Sequence, residues 1–250
     1  MMSSWSLMPV EHFSQRWERA YYAAIHGYYG AALTDLSRIR RDCNQQHWQS
    51  RANSLYGSLL RQLGHHRQAR RYDGRALVLS GFSCGDYDIL AAHDALVGLS
   101  ADAIGLGQLR LAQMTLQRAS QIIIETLPLQ SQIYWHWVSA ELAMVGNQAK
   151  IALEHSQKAQ QLAQNLNCPH HQCKTEMIYA AALCAAGYYQ SSRQLAQQTL
   201  ACTDQYGLIP LSWGLCCLLG DLSHSDTERQ YFHQRCCSYQ NIIAHRGGQW

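Results

Sequence analysis

Proline occurs only four times in 250 residues, and charged side chains make up only 15% of the chain. With 47% apolar residues beside it, that scarcity argues against disorder and against a many-turned β architecture. Long apolar runs are missing too. The longest stretch without charged, amide or histidine side chains, Tyr206–Gly220, is interrupted by Pro210 and falls short of the ~18 residues a membrane helix needs. Met1 to Phe13 contains no basic region followed by an apolar core, so no secretory signal is visible and a cytoplasmic location without a membrane partner is expected. In that setting the ten cysteines, including Cys216-Cys217 and Cys236-Cys237, read as small, reduced core residues rather than disulfides. A phosphate loop is also lacking. Gly98, Gly105 and Gly107 have neither a preceding strand nor a following Lys-Ser/Thr, so no cofactor is expected.

What the chain does have is a recurrence. Gly27, Gly64, Gly107, Gly146, Gly187 and Gly220 stand 37, 43, 39, 41 and 33 residues apart, a period that marks repeated supersecondary units. Seven residues before the first five stand Ala20, Gly57, Ser100, Ser139 and Ala180. Five residues after the first three stand Ala32, Ala69 and Ala112, and twelve after come Ala76 and Ala119. In the fourth unit Ala152 and Ala159 keep the same mutual spacing after one extra residue. Small residues at fixed offsets let two helices cross closely.

Between the glycines the apolar pattern has helical period, as in Trp48, Ala52, Leu55, Leu59 and Leu63 before Gly64 and Ala69, Tyr72, Ala76 and Leu79 after it. Breaks at Gly81–Gly85, Leu127-Pro128-Leu129, Asn167-Cys168-Pro169 and Tyr206-Gly207 separate the pairs. The expected fold is all-α: one domain over residues 1–250, a solenoid of about six hairpins and about twelve helices. An atypical segment 1–10 precedes it, and a polar capping helix at about 226–245 ends it.

Gly57, Gly64, Ala69 and Ala76, with Ala112 and Ala119 in the next unit, resemble the small-residue positions of the tetratricopeptide repeat (TPR) superfamily. The likeness runs over roughly residues 10–245. It departs at Asp73, where an aromatic is usual, and at Ser192 and Thr199, which replace both alanines of the fifth unit. Units longer than that family's standard repeat look more like the extended repeats of bacterial regulatory proteins and of stand-alone bacterial chains without assigned function. The resemblance implies a right-handed solenoid and a concave groove lined by the first helices. Its groove positions fall on Arg51, Ser54, Ser58 and Arg61, on Asp94 and Val97, on His136, and on Lys174 and Met177.

The function this implies is a protein- or peptide-binding adaptor, not an enzyme. The alternative is a ligand or signal-peptide sensor that acts through a change of curvature; a Cys/His-dependent enzyme is a remote third. Residues 1–80 carry eleven arginines against five acids, a basic surface that suits an acidic partner. Without a recognisable base-reading motif, that surface does not point to nucleic acid. Trp5, Trp17 and Trp250 lie toward the ends, where an uncapped solenoid face would allow a homodimer. Asp102 and Glu141 occupy positions tucked between paired helices and need cationic partners, for which Arg75, Arg110 and Arg118 are candidates. Cys168, His170, His171 and Cys173 are zinc-type ligands at an unsuitable spacing, and no metal site is expected from them.

Overall fold

The computed structural model describes residues 10–82, 87–122 and 126–249, with side chains from Phe13 onward. Among the described residues there are twelve helices and no strand. Helices α1 (Val10–Ile25), α2 (Tyr29–Asp42), α3 (Gln46–Gln62) and α4 (His66–Leu79) form the first two hairpins. Then come α5 (Ile89–Gly105), α6 (Leu109–Ser120), α7 (Leu129–Val145) and α8 (Ala149–Ala163). The last two hairpins are α9 (Pro169–Ala185) with α10 (Tyr189–Gln205), and α11 (Ile209–Asp221) with α12 (Asp226–His245). Consecutive helices pack on one another throughout, which makes the chain a solenoid of helical hairpins. No described helix is long and apolar enough to cross a membrane.

One turn chemistry recurs in the first five hairpins. Gly27, Gly64, Gly107 and Gly187 sit in the left-handed region at φ 80°, 79°, 70° and 82°. In the fourth hairpin that conformation belongs to Asn147 (φ 56°), not to its neighbour Gly146 (φ −81°). Asparagine is among the few side-chain-bearing residues that tolerate it. Each turn closes with the same pair of bonds, as in Gly64 N–H to the Arg61 carbonyl (3.0 Å) and His65 N–H to the Leu60 carbonyl (2.9 Å), the Schellman pattern that satisfies a helix C-terminus.

Counting from the left-handed residue restores the repeat. The fourth unit's extra residue disappears: Ala152 lies five after Asn147, as Ala69 lies five after Gly64, and the small residue seven before it is Ala140, not Ser139. Ala32, Ala69, Ala112, Ala152 and Ser192 are all 0% exposed, as the helix crossing requires. Serines at these crossings bond across them, Ser100 Oγ to the Ala112 carbonyl (2.8 Å) and Ser192 Oγ to the Ala180 carbonyl (2.7 Å). Gly220 does not belong to the series; it lies in the last turn of α11 and the final turn follows it. Ser225 then caps α12, its Oγ accepting from Glu228 N–H (3.2 Å).

The solenoid closes on itself. Arg246, just past α12, donates to the His26 carbonyl (2.7 Å), accepts from Gly30 N–H (2.8 Å), and lies 4.0 Å from the centre of the Tyr28 ring. The Gln249 carbonyl accepts from His65 Nε2 (2.8 Å). Ile243 of α12 is buried in the same apolar cluster as Tyr29, Leu36 and Leu59. The sequence leads one to expect a polar capping helix and an uncapped end face, and α12 also packs on the amino-terminal hairpins and makes a ring. Trp17 lies within that ring, while Trp5 and Trp250 fall outside the described residues. Of the paired cysteines, Cys216 is buried and Cys217 exposed, its Sγ 3.5 Å from Cys236 Sγ.

Candidate functional site

Ring closure turns the concave face into a cavity of about 640 Å³. Most of its wall comes from the first helix of every hairpin: Trp17 and Tyr21 on α1, Arg51, Ser54 and Ser58 on α3, Leu90 and Asp94 on α5. Tyr134, Trp137 and Glu141 follow on α7, then His170, His171, Lys174 and Met177 on α9, and Leu211 and Trp213 on α11. The inner helices therefore bury one face against their partners and turn another to the cavity. A second hollow of about 410 Å³ is a shallow patch on outer helix α2, between Leu33 and Arg41.

Aromatic rings hold the cations of the wall. Arg51 lies 4.5 Å from the Trp17 ring centre and 5.1 Å from that of Trp48, and Lys174 Nζ lies 4.6 Å from that of Trp137. Trp137 is itself fixed, its indole N–H donating to Thr175 Oγ1 (2.9 Å) and its face stacking on His171. Burial pulls the Lys174 amine below its usual range and pushes the Glu141 carboxyl above its own. The opposite charge of the other partner resists both shifts. Among the described residues neither side chain makes a hydrogen bond or a close ion pair. Burial also lowers His171 to about 4 and His170 well below its ordinary value, so both are neutral near pH 7. Tyr21 OH and His170 Nδ1 are 3.2 Å apart and tie the first hairpin to the fifth across the ring.

Behind the wall sits a buried ionic cluster. Arg61 Nη1 donates to Asp73 Oδ2 and Asp102 Oδ1, both at 2.7 Å, and to the Gly98 carbonyl at 3.2 Å, while Nη2 reaches Tyr134 OH at 3.1 Å. Helices α3, α4, α5 and α7 meet at this one guanidinium. Asp73 packs so tightly that a Cβ on Gly57 or Gly98 would lie 2.6 or 2.5 Å from its carboxylate. The acid is accommodated because both glycines leave it room and the arginine pairs with it.

Of the groove residues expected from sequence, Arg51, Ser54, Ser58, Asp94, Lys174 and Met177 surround the cavity. Three do not. Arg61 is spent on the internal cluster, Val97 is fully buried between helices, and half-buried His136 packs against outer helix α8, its Nδ1 3.0 Å from His155 Nδ1. His136 is a register error of one: counted from Asn147, the matching position is Trp137, and the neighbouring ones are Tyr134 and Glu141. Glu141 therefore faces the cavity rather than the helix pair. The partner of Asp102 is Arg61, not Arg75, Arg110 or Arg118. Trp17 and Tyr21 were missed although they stand ten and six residues before Gly27, the offsets of Ser54 and Ser58 from Gly64.

The zinc-type residues disperse. Cys168 Sγ meets His171 Nδ1 (3.0 Å), His170 turns to Tyr21, and Cys173 lies beside Cys202 (3.3 Å). Among the described residues no three His, Cys, Asp or Glu side chains gather in a way that could hold a metal. No family model matches the chain, and no curated protein is significantly similar to it.

Proposed function

We propose that the protein is a TPR-type solenoid that binds a small ligand or short signal peptide in its central cavity and signals through the curvature of the ring. The observation that carries this reading is the cavity itself: about 640 Å³, walled by all six inner helices and lined by aromatic rings with a few charged groups. Small-ligand sites span about 300–1,000 Å³ and share that mixture. The TPR assignment is supported by the repeated Schellman turn and the buried small residues at constant distance from it.

Ring closure favours this reading over the groove adaptor inferred from sequence. An adaptor offers its concave face to a folded partner, whereas here that face lines a ring-bounded cavity and Arg246 is hydrogen-bonded to the first hairpin. The test is native mass spectrometry after incubation with a small-molecule extract, comparing the unmodified protein with Ser58→Trp, which places an indole in the cavity. Retention by the first and loss by the second is expected, with a change in scattering radius on binding. Equal retention by both would refute the assignment of the cavity.

A further inference from the structure

We infer that the cavity takes a small zwitterion with an apolar body, of amino-acid to dipeptide size, its carboxylate received by Lys174 and its ammonium by Glu141. The inference rests on the cavity being a ligand site, and adds the class of ligand. Lys174 and Glu141 project from neighbouring inner helices, α9 and α7, and both border the cavity. Both are half-buried, each feels the other's charge, and no ion pair or hydrogen bond forms to either among the described residues. A half-buried charge that lacks a hydrogen bond favours a ligand able to supply one, and two opposite charges on one cavity wall suit a group that carries both signs.

The Lys174 ammonium rests instead on the Trp137 ring. It lies 4.6 Å from the ring centre, and the ring is locked by Thr175 and His171. The ammonium donors are left for an acceptor arriving from the cavity. Around this pair the wall holds one further cation, Arg51 on Trp17, and one further acid, Asp94 beside His93 (3.3 Å). Two cations and two acids match a ligand without net charge. A phosphate would confront Glu141 and Asp94, a lone amine would confront Lys174 and Arg51, and a hydrocarbon would leave Lys174 and Glu141 without a hydrogen bond. The apolar body of the ligand has Tyr134, Trp137, Leu90 and Met177 to rest on.

The test is calorimetry with leucine, phenylalanine, leucyl-leucine and phenylalanyl-leucine, each compared with its amino-acetylated and its carboxy-amidated form. Each block removes one charge-assisted contact, and a loss of about tenfold or more in affinity is expected for either. With Lys174→Met the protein should become indifferent to amidation while still rejecting the acetyl group, and Glu141→Gln should show the reverse. That crossed pattern is not produced by a general loss of structure. Equal binding of free and blocked forms, or the same loss in both variants for every ligand, would overturn the inference. The blocked series on the unmodified protein decides the matter even where a variant does not fold. Nile red, an uncharged apolar dye, separates the two readings. If Ser58→Trp expels the dye but no zwitterion displaces it, the cavity reading stands and this inference falls; if neither dye nor zwitterion binds, both fall.

Discussion

Asp73→Asn is expected to flatten the loss of stability that the protein suffers as pH rises. Asp73 and Asp102 are 1% and 0% exposed and share a single guanidinium. Asp73 Oδ1 and Asp102 Oδ2 have no hydrogen-bond donor among the described residues, so the cluster is one positive charge short when both acids ionise. Burial pushes Asp73 up to about 8, with Arg61 opposing the rise and Asp102 adding to it. The same group in an unfolded chain titrates near 3.9, as a rough reference value. The sign follows directly. Between about pH 4 and pH 8 the folded protein holds a proton that the unfolded chain has released, so stability falls as pH rises through this window. One proton corresponds to a slope of at most about 1.4 kcal/mol per pH unit. Asparagine keeps the shape and removes the proton, so the difference between variant and unmodified protein should grow in the variant's favour toward pH 8. Urea midpoints measured from pH 5 to pH 9 read this difference, and other titrating groups cancel in the comparison. The Asp102 charge is one cause of the rise at Asp73, so Asp102→Asn should flatten the slope in the same direction. Parallel curves for Asp73→Asn and the unmodified protein would refute the retained proton on Asp73.

Two further perturbations probe the packing. Gly98→Ala puts a methyl group 2.5 Å from Asp73 Oδ1. It should destabilise by about 1–3 kcal/mol in spite of alanine's better helix propensity, and adding Asp73→Ala should recover most of the loss in chemical denaturation. Gly247→Val strikes the ring closure, since Gly247 sits at φ 88° and an added Cβ would lie 2.8 Å from Gly30 N and Cα. A larger radius in small-angle scattering with unchanged helical circular dichroism is the expected result. An unchanged radius would show that the tail does not hold the ring shut.

Much of the site was legible because the second and fourth inner helices present the same offsets to the cavity and the first, third and fifth share some of them. Positions thirteen, ten and six before the left-handed residue yield Arg51, Ser54 and Ser58 in the second hairpin and Tyr134, Trp137 and Glu141 in the fourth. The reading failed where its anchor failed. Gly146 looks like the turn residue, but Asn147 has the left-handed backbone, and a shift of one residue rotates a helix by about 100° and exchanges His136 for Trp137. Arg61 was misplaced for another reason: it occupies a groove offset, but two buried carboxylates on α4 and α5 draw it inward.

The sequence by itself determined the helices, the hairpin turns and the crossing points, because helical period, left-handed turn residues and small side chains act within one unit or between adjacent ones. Only the tertiary structure decided that the solenoid closes and encloses a cavity. Curvature accumulates as a small rotation at each of the hairpin junctions, so no single unit carries the information that Arg246 will reach His26. The same holds for the charges. Which acid meets Arg61, and which acid and base are left unpaired beside Trp137, depends on where helices from different hairpins come to lie.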